Sequence, residues 1–170
     1  MKEIEQQKIF ESWLDAHSAL LFKVVRAYAF TKEDREDLFQ DIAIQVWRSV
    51  PNFKRQSAVT TWLYRISLNT AIKWNRKERK HSDGRQSIDR MEYLLRDNPG
   101  HRDERLDWLY EQIAQLNEID RSLALLLLDG FSYKDMAQVL GISESNVAVK
   151  IHRIKKHLVK QSQKRVHHGI

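Results

Sequence analysis

Residues 132–158 read SYKDMAQVLGISESNVAVKIHRIKKHL, and this stretch decides the architecture of the second half of the chain. Two helical patterns meet at Gly141, where the absence of a side chain suits a tight turn. Ser132 with Asp135 resembles a capping box and opens the first pattern, which ends near Leu140. Ser143 caps the second, which is predicted to run toward Gln163. Ala137 supplies a small residue where the helices cross, and Met136, Leu140, Ile142 and Val147 can anchor the pair. At about 100° per residue, Val147, Ile151, Ile154 and Leu158 share one side of the last helix, as a core face should. Ser145, Ala148, Val149, His152, Arg153 and Lys156 occupy the other side, and from Val149 to Ile170 there are seven Lys or Arg and no Asp or Glu. The pattern predicts a helix-turn-helix whose second helix enters a major groove, with Ser145, His152 and Arg153 placed to touch bases or phosphates. A plain helical hairpin with a solvated basic face is the alternative; capping, turn and one-signed charge together favour DNA.

Outward from this motif, the chain remains helical. Its 170 residues suffice for one medium domain or two small ones. There is no cysteine, which excludes disulfide scaffolds, thiolate zinc sites and thiol nucleophiles. Five Gly and two Pro make a glycine-rich phosphate loop or a many-turned β-fold a poor fit. No metal and no cofactor is expected. The formal net charge of +6 suits a polyanion partner. The N-terminus lacks the apolar core of a signal peptide, and the longest apolar run, Leu123 to Leu128, falls far short of a membrane span. A cytoplasmic protein with no direct membrane insertion is the expectation.

Before the motif, Leu106, Leu109, Tyr110, Ile113 and Leu116 sit at helical spacing, followed by the Leu123–Leu128 helix, with Gly130 as a left-handed stop. Residues 81–101 are polar and carry Gly84, Pro99 and Gly100. They read as a flexible linker with a short helical stretch near Met91 to Leu95. The division is therefore a first domain at 1–80, a linker at 81–101 and a second domain at 102–170. The fold class is all-α, two small helical domains.

The first domain reads as three helices. The first spans about 5–29 and carries Ile9, Phe10, Trp13, Leu14, Leu20, Leu21, Val24 and Val25. The second opens with Thr31 and Asp34 in a capping-box arrangement and stops at Pro51. The third covers about 58–80. On it, Leu63, Leu68, Ala71, Ile72 and Trp74 form a broad buried side, opposite Trp62, Arg65, Asn69, Lys73, Arg76, Lys77 and Lys80. An aromatic, an amide and several cations on one stripe suit DNA whose strands are separating, since cations hold phosphates and flat side chains meet exposed bases. A solvated basic helix with Trp62 as rim packing accounts for the same residues. On the second helix, Leu38, Phe39, Ile42, Val46 and Val50 make the core side. Asp37, Gln40, Asp41 and Ile44 gather elsewhere, with Trp47 at the edge. An acidic face with an apolar residue would repel DNA and suits a protein partner; a merely solvated face is the plainer reading.

Three stretches in order, DLFQDIAIQVW, FKRQSAVTTWLYRISLNTAIKWNRK and the helix-turn-helix, resemble the extracytoplasmic-function group of bacterial sigma-70-type sigma factors. The resemblance covers roughly residues 10–80 and 102–160. It implies two helical domains on a flexible linker, core RNA polymerase and promoter DNA as partners, an anti-sigma factor as a further partner, and no catalytic activity. By resemblance, Asp37, Gln40, Asp41 and Gln45, with Ile44 among them, match the helix that docks on the clamp coiled coil of the polymerase large subunit. Phe53, Lys54, Arg55 and Ser57 match the loop holding a base flipped from the minus-ten element. Trp62, Asn69, Lys73, Arg76 and Lys77 match the helix that follows that DNA. Ala148, Val149, His152 and Arg153, with Ser145 and Lys156 on the same face, match positions toward the minus-thirty-five element. Two departures stand out. Leu63 replaces the second adjacent tryptophan of the large housekeeping factors, which implies weaker strand opening. Ala148 and Val149 are apolar where relatives often have Arg or Ser.

Three other functions compete. A plain helix-turn-helix repressor or activator has no use for the acidic face. A nucleic-acid enzyme would use Asp37 with Asp41, or Asp103 with Asp107, as metal-binding pairs, yet no third ligand stands out. A pure adaptor would not need two basic faces.

Overall fold

The computed structural model describes residues 1–79 and 103–167, and among them every regular element is a helix. The elements are α1 (Glu3–Tyr28), α2 (Lys32–Ser49), a 3₁₀ turn (Val50–Asn52), α3 (Val59–Arg79), α4 (Glu104–Gln115), α5 (Glu118–Leu128), α6 (Tyr133–Leu140) and α7 (Glu144–His167). The proposed linker at 81–101, its short helical stretch and Lys80 lie outside the described residues. Packing divides the chain into Met1–Glu111 and Gln112–Ile170.

In the first unit, α1, α2 and α3 pack pairwise around one apolar core. Leu21 and Val24 of α1, Leu38, Ile42 and Val46 of α2, and Leu63 and Leu68 of α3 are fully buried there. Tyr28 and Tyr64 are buried with them. The α1 helix is interrupted at His17, where φ is −129° and ψ 20°. Thr31 Oγ1 accepts the Asp34 backbone N–H at 3.1 Å, the cap expected from the sequence. Pro51 ends α2 in the 3₁₀ turn, as its ring requires. Phe39 lies at the edge of the core side rather than within it. It stays half-buried and stacks on the exposed Phe22, centroids 5.3 Å apart and rings 14° from parallel.

Polar bonds join the helices across their apolar sides. The Gln6 amide donates to the Trp47 carbonyl at 2.8 Å, and the Trp47 indole N–H donates to Gln7 Oε1 at 3.2 Å. The Arg26 guanidinium donates to Asp107 at 2.7 Å and lies 4.2 Å from the centre of the Tyr110 ring, which places the first turns of α4 with the first unit.

In the second unit, α5, α6 and α7 pack together. Leu123, Ala124, Leu125 and Leu126 are buried, with Leu128 exposed at the helix end. Met136, Val139, Val147, Ile151 and Ile154 complete the core. Val139 is buried, while the expected anchors Leu140 and Ile142 are only half-buried. Asn117 caps α5 by accepting the Asp120 N–H at 2.9 Å. The buried Arg121 holds the α4–α5 corner by donating to the carbonyls of Ala114 and Leu116, both at 3.0 Å. Gly130 and Gly141 take positive φ, 78° and 69°. The last helix runs on to His167, beyond the expected stop near Gln163. Past Ile154 none of its described residues is buried, so the added turns project from the core.

A Cβ at Gly141 would meet no atom within 4 Å, so only backbone strain opposes it. Gly141→Ala should therefore lower stability by about 1–2 kcal/mol, the usual penalty of a left-handed non-glycine residue, as read by chemical denaturation.

Candidate nucleic-acid interface

The α7 surface is built by its cap and its core side together. Ser143 Oγ accepts the Asn146 N–H at 3.1 Å and lies 3.2 Å from Ser145 Oγ, which fixes the helix start. Burial of Val147, Ile151 and Ile154 then turns Ser145, Val149, His152, Arg153 and Lys156 to solvent, with Ala148 half-buried at the margin. Val149 is 57% exposed. Lys150 is different: its ammonium is 3.7 Å from Asp120 of α5. That cation ties α7 to its own core and is not on the fully exposed face.

The α3 surface separates into two parts. Arg65, Asn69, Lys73, Arg76 and Lys77 are exposed along one stripe. Trp62 is not a free aromatic on that stripe. It is half-buried; its indole N–H donates to Ser49 Oγ at 3.1 Å, and its ring lies 5.4 Å from Phe53. Phe53 in turn meets Trp13 edge-on at 5.3 Å. This aromatic cluster shapes the loop of residues 53–57, where Lys54 and Arg55 are exposed and Ser57 is half-buried. Arg55 adopts φ 57°, a strained left-handed conformation for a residue with a Cβ. Beside the loop lies a cavity of about 670 Å³ bordered by Ile9, Trp13, Val50, Phe53, Arg55 and Ser57.

On α2, Asp37, Gln40, Asp41, Ile44 and Gln45 are all exposed, and Ile44 keeps 46% of its surface. Asp37 accepts the Trp74 indole N–H at 2.9 Å, a contact 37 positions apart that no local pattern could reveal. Partial burial holds the Asp41 carboxyl above the usual aspartate range, aided by repulsion from Asp37 and opposed by Lys77. Lys77, at the end of the basic stripe, thus sits where the basic and acidic faces meet.

The carboxylate pairs considered for metal chemistry have structural work. Asp37 holds Trp74, Asp107 holds Arg26, and Asp103 accepts the backbone N–H groups of Arg105 and Leu106 at 3.1 and 3.4 Å. Among the described residues no group of three or more His, Cys, Asp or Glu could hold a metal ion. No described helix is long and apolar enough to cross a membrane.

Residues 13–81 match the family model of sigma-70 region 2, and residues 106–158 match sigma-70 region 4. The chain is 28% identical over 164 residues to the ECF RNA polymerase sigma factor SigX of Bacillus subtilis, covering 89% of this chain and 84% of that one. It is 29% identical over 156 residues to the RNA polymerase sigma-H factor of Pseudomonas aeruginosa, covering 85% and 80%. The chain belongs to the extracytoplasmic-function sigma factors. Solved structures share its fold, and two of them are complexes. One is CnrH in complex with the cytosolic domain of CnrY, with TM-score 0.65, 22% identity and coverage of 93% and 90%. The other is the sigma factor RpoE of Bartonella quintana with the anti-sigma factor NepR, with TM-score 0.67, 20% identity and coverage of 92% and 98%. In this sigma factor the α2 and α3 faces fall within region 2 and the exposed face of α7 from Ser145 to Lys156 within region 4. The region 4 match stops at residue 158, nine residues before α7 ends at His167.

Because folded Asp41 holds its proton more tightly than the unfolded chain does, its ionisation opposes folding as pH rises from 3.8 through the raised value. Asp41→Asn should therefore raise the melting temperature at neutral pH. The gain should vanish well below pH 3.8, as followed by thermal unfolding across pH.

Proposed function

We propose that this sigma factor binds core RNA polymerase through the exposed face of α2 and directs it to promoters with two separate DNA contacts. The observation that supports this best is the separation of surfaces. One acidic face with an exposed Ile44 and two basic faces lie on helices whose opposite sides are buried. Asp37, Gln40, Asp41, Ile44 and Gln45 dock on the polymerase clamp helices. Phe53, Lys54, Arg55 and Ser57 surround one unpaired base of the minus-ten element, and Asn69, Lys73, Arg76 and Lys77 hold the adjoining phosphates. Trp62 shapes the base-holding loop through Phe53. Ser145, Ala148, Val149, His152, Arg153 and Lys156 read the minus-thirty-five element. The functional divisions are 1–80, 81–101 and 102–170. An anti-sigma factor is a further partner, in keeping with the anti-sigma complex of the RpoE relative. The protein works in the cytoplasm and is not an enzyme; it supplies recognition while the polymerase supplies chemistry.

The direct test is transcription in vitro from genomic fragments with core polymerase, with and without the protein. Promoter-dependent transcripts that require the protein are expected. Asp41→Lys should fold and lose competition for core enzyme, because a cation replaces an acid on the docking face. Normal competition by a folded Asp41→Lys variant would remove the docking assignment.

The two DNA contacts separate by mutation. Arg153→Ala should weaken recognition of the upstream element by about 1–3 kcal/mol if its guanidinium makes a bidentate base contact. It should leave strand opening intact in complexes already formed. Lys73→Ala with Arg76→Ala should instead impair the downstream contact and opening, and flatten the salt dependence. Footprinting with a probe for unpaired thymines on one promoter distinguishes the outcomes. Loss of opening in fully bound Arg153→Ala complexes would mean the two contacts are assigned the wrong way round.

A further inference from the structure

The end of α7 carries a feature that base reading does not use. The helix spans 24 residues, Glu144–His167, which is about 36 Å of axis. Its buried contacts end at Ile154. Beyond that point Lys155, Lys156, Lys160 and Lys164 are exposed, and no acidic residue follows Glu144. Lys156 and Lys160, and again Lys160 and Lys164, stand one turn apart on the helix, a spacing at which like charges oppose helix formation. The helix dipole favours cations near this end and offsets part of that repulsion. A fixed anionic partner would offset the rest.

Register identifies the partner. At about 100° per residue, Lys160 and Gln163 return to the same side as Ser145, Val149, His152 and Lys156. The reading face thus continues in line past the residues that reach bases. From Ser145 to Arg153 the helix advances about 12 Å, the width of a major groove. From Arg153 to Lys164 it advances about 16 Å more, which no longer fits within the groove. Side chains there meet the sugar-phosphate rim that borders it.

We infer that residues 159–167 of α7, which lie beyond the region 4 match, form a phosphate-binding arm. Lys160 and Lys164 grip DNA backbone flanking the minus-thirty-five element, without regard to sequence. This rests on the reading of α7 as the helix that enters the major groove at that element. The ligand is the phosphodiester chain of duplex DNA. The arm adds affinity and orientation, while Arg153 and its neighbours choose the sequence, since phosphate contacts position and base contacts specify.

The test uses polymerase holoenzyme on one promoter, with wild type, Lys160→Ala/Lys164→Ala and Arg153→Ala. Each is mapped by phosphate-ethylation interference and by affinity against salt. In the double variant, interference should disappear at phosphates beside the element and persist within it. The log–log salt slope should fall by about 1.8, the share of two phosphate contacts. Promoters with altered upstream bases should lose affinity by the same factor. Lys160→Gln/Lys164→Gln should behave alike, and circular dichroism of both variants checks the helix. Unchanged flanking interference and slope, with Arg153→Ala still relaxing base preference, would overturn the arm and leave the reading helix standing. If Arg153→Ala also leaves upstream recognition untouched, the reading of α7 itself fails. Weaker binding to core polymerase without DNA in the double variant would assign the lysines to a protein contact and overturn the proposal.

Discussion

Burial of one apolar side per helix is the constraint from which the other features of this chain follow. Leu38, Ile42 and Val46 of α2 have no exposed surface, and neither do Leu63 and Leu68 of α3 or Val147 and Ile151 of α7. Once those sides are turned inward, the remaining arc of each helix is committed to water or to a partner. On α2 that arc is acidic with Ile44; on α3 and α7 it is basic. Without disulfides, function is carried on whichever arcs the cores leave free.

Hydrogen bonds between helices then fix where each arc points. Trp74 holds Asp37, Trp62 holds Ser49, and the Gln6–Gln7 pair holds both ends of Trp47. Three of these bonds give an indole N–H an oxygen acceptor on another helix, and the fourth gives the Trp47 carbonyl the Gln6 amide. They set the rotation of α2 against α1 and α3, and so the spacing between acidic and basic faces. The nearness of Lys77 to Asp41 is one result. A change on one face is felt electrostatically on the other.

In the second unit the basic side chains fall into three groups. Arg121 is buried and closes the α4–α5 corner through two backbone carbonyls, and Lys150 pairs with Asp120 between α5 and α7. His152, Arg153 and Lys156 are exposed on the side of α7 away from its core, and Lys160 and Lys164 are exposed beyond Ile154. A count of basic residues along α7 treats these as one group. Packing separates them, because a cation near a desolvated carbonyl or carboxylate is held by it, while a side chain facing water is available to a partner.

Local patterns in the sequence determined the helices, their caps and their buried sides. Thr31, Ser132 and Ser143 cap where an N–H three residues on can reach their oxygens, and Gly141 turns left-handed because only glycine does so without strain. These are contacts within one turn, so residue type and spacing suffice to foresee them. The exposed faces of α2, α3 and α7 were legible for the same reason, as the complement of a helical apolar stripe. Tertiary structure alone decided the rest. It withdrew Trp62 from the open stripe into a cluster with Phe53 and Trp13, gave Asp37 a partner on α3, made Val139 an anchor in place of Leu140, and set Arg26 against Asp107 and Tyr110. Each depends on residues far apart in the chain meeting at one point, and helical periodicity carries no information about which stripe meets which.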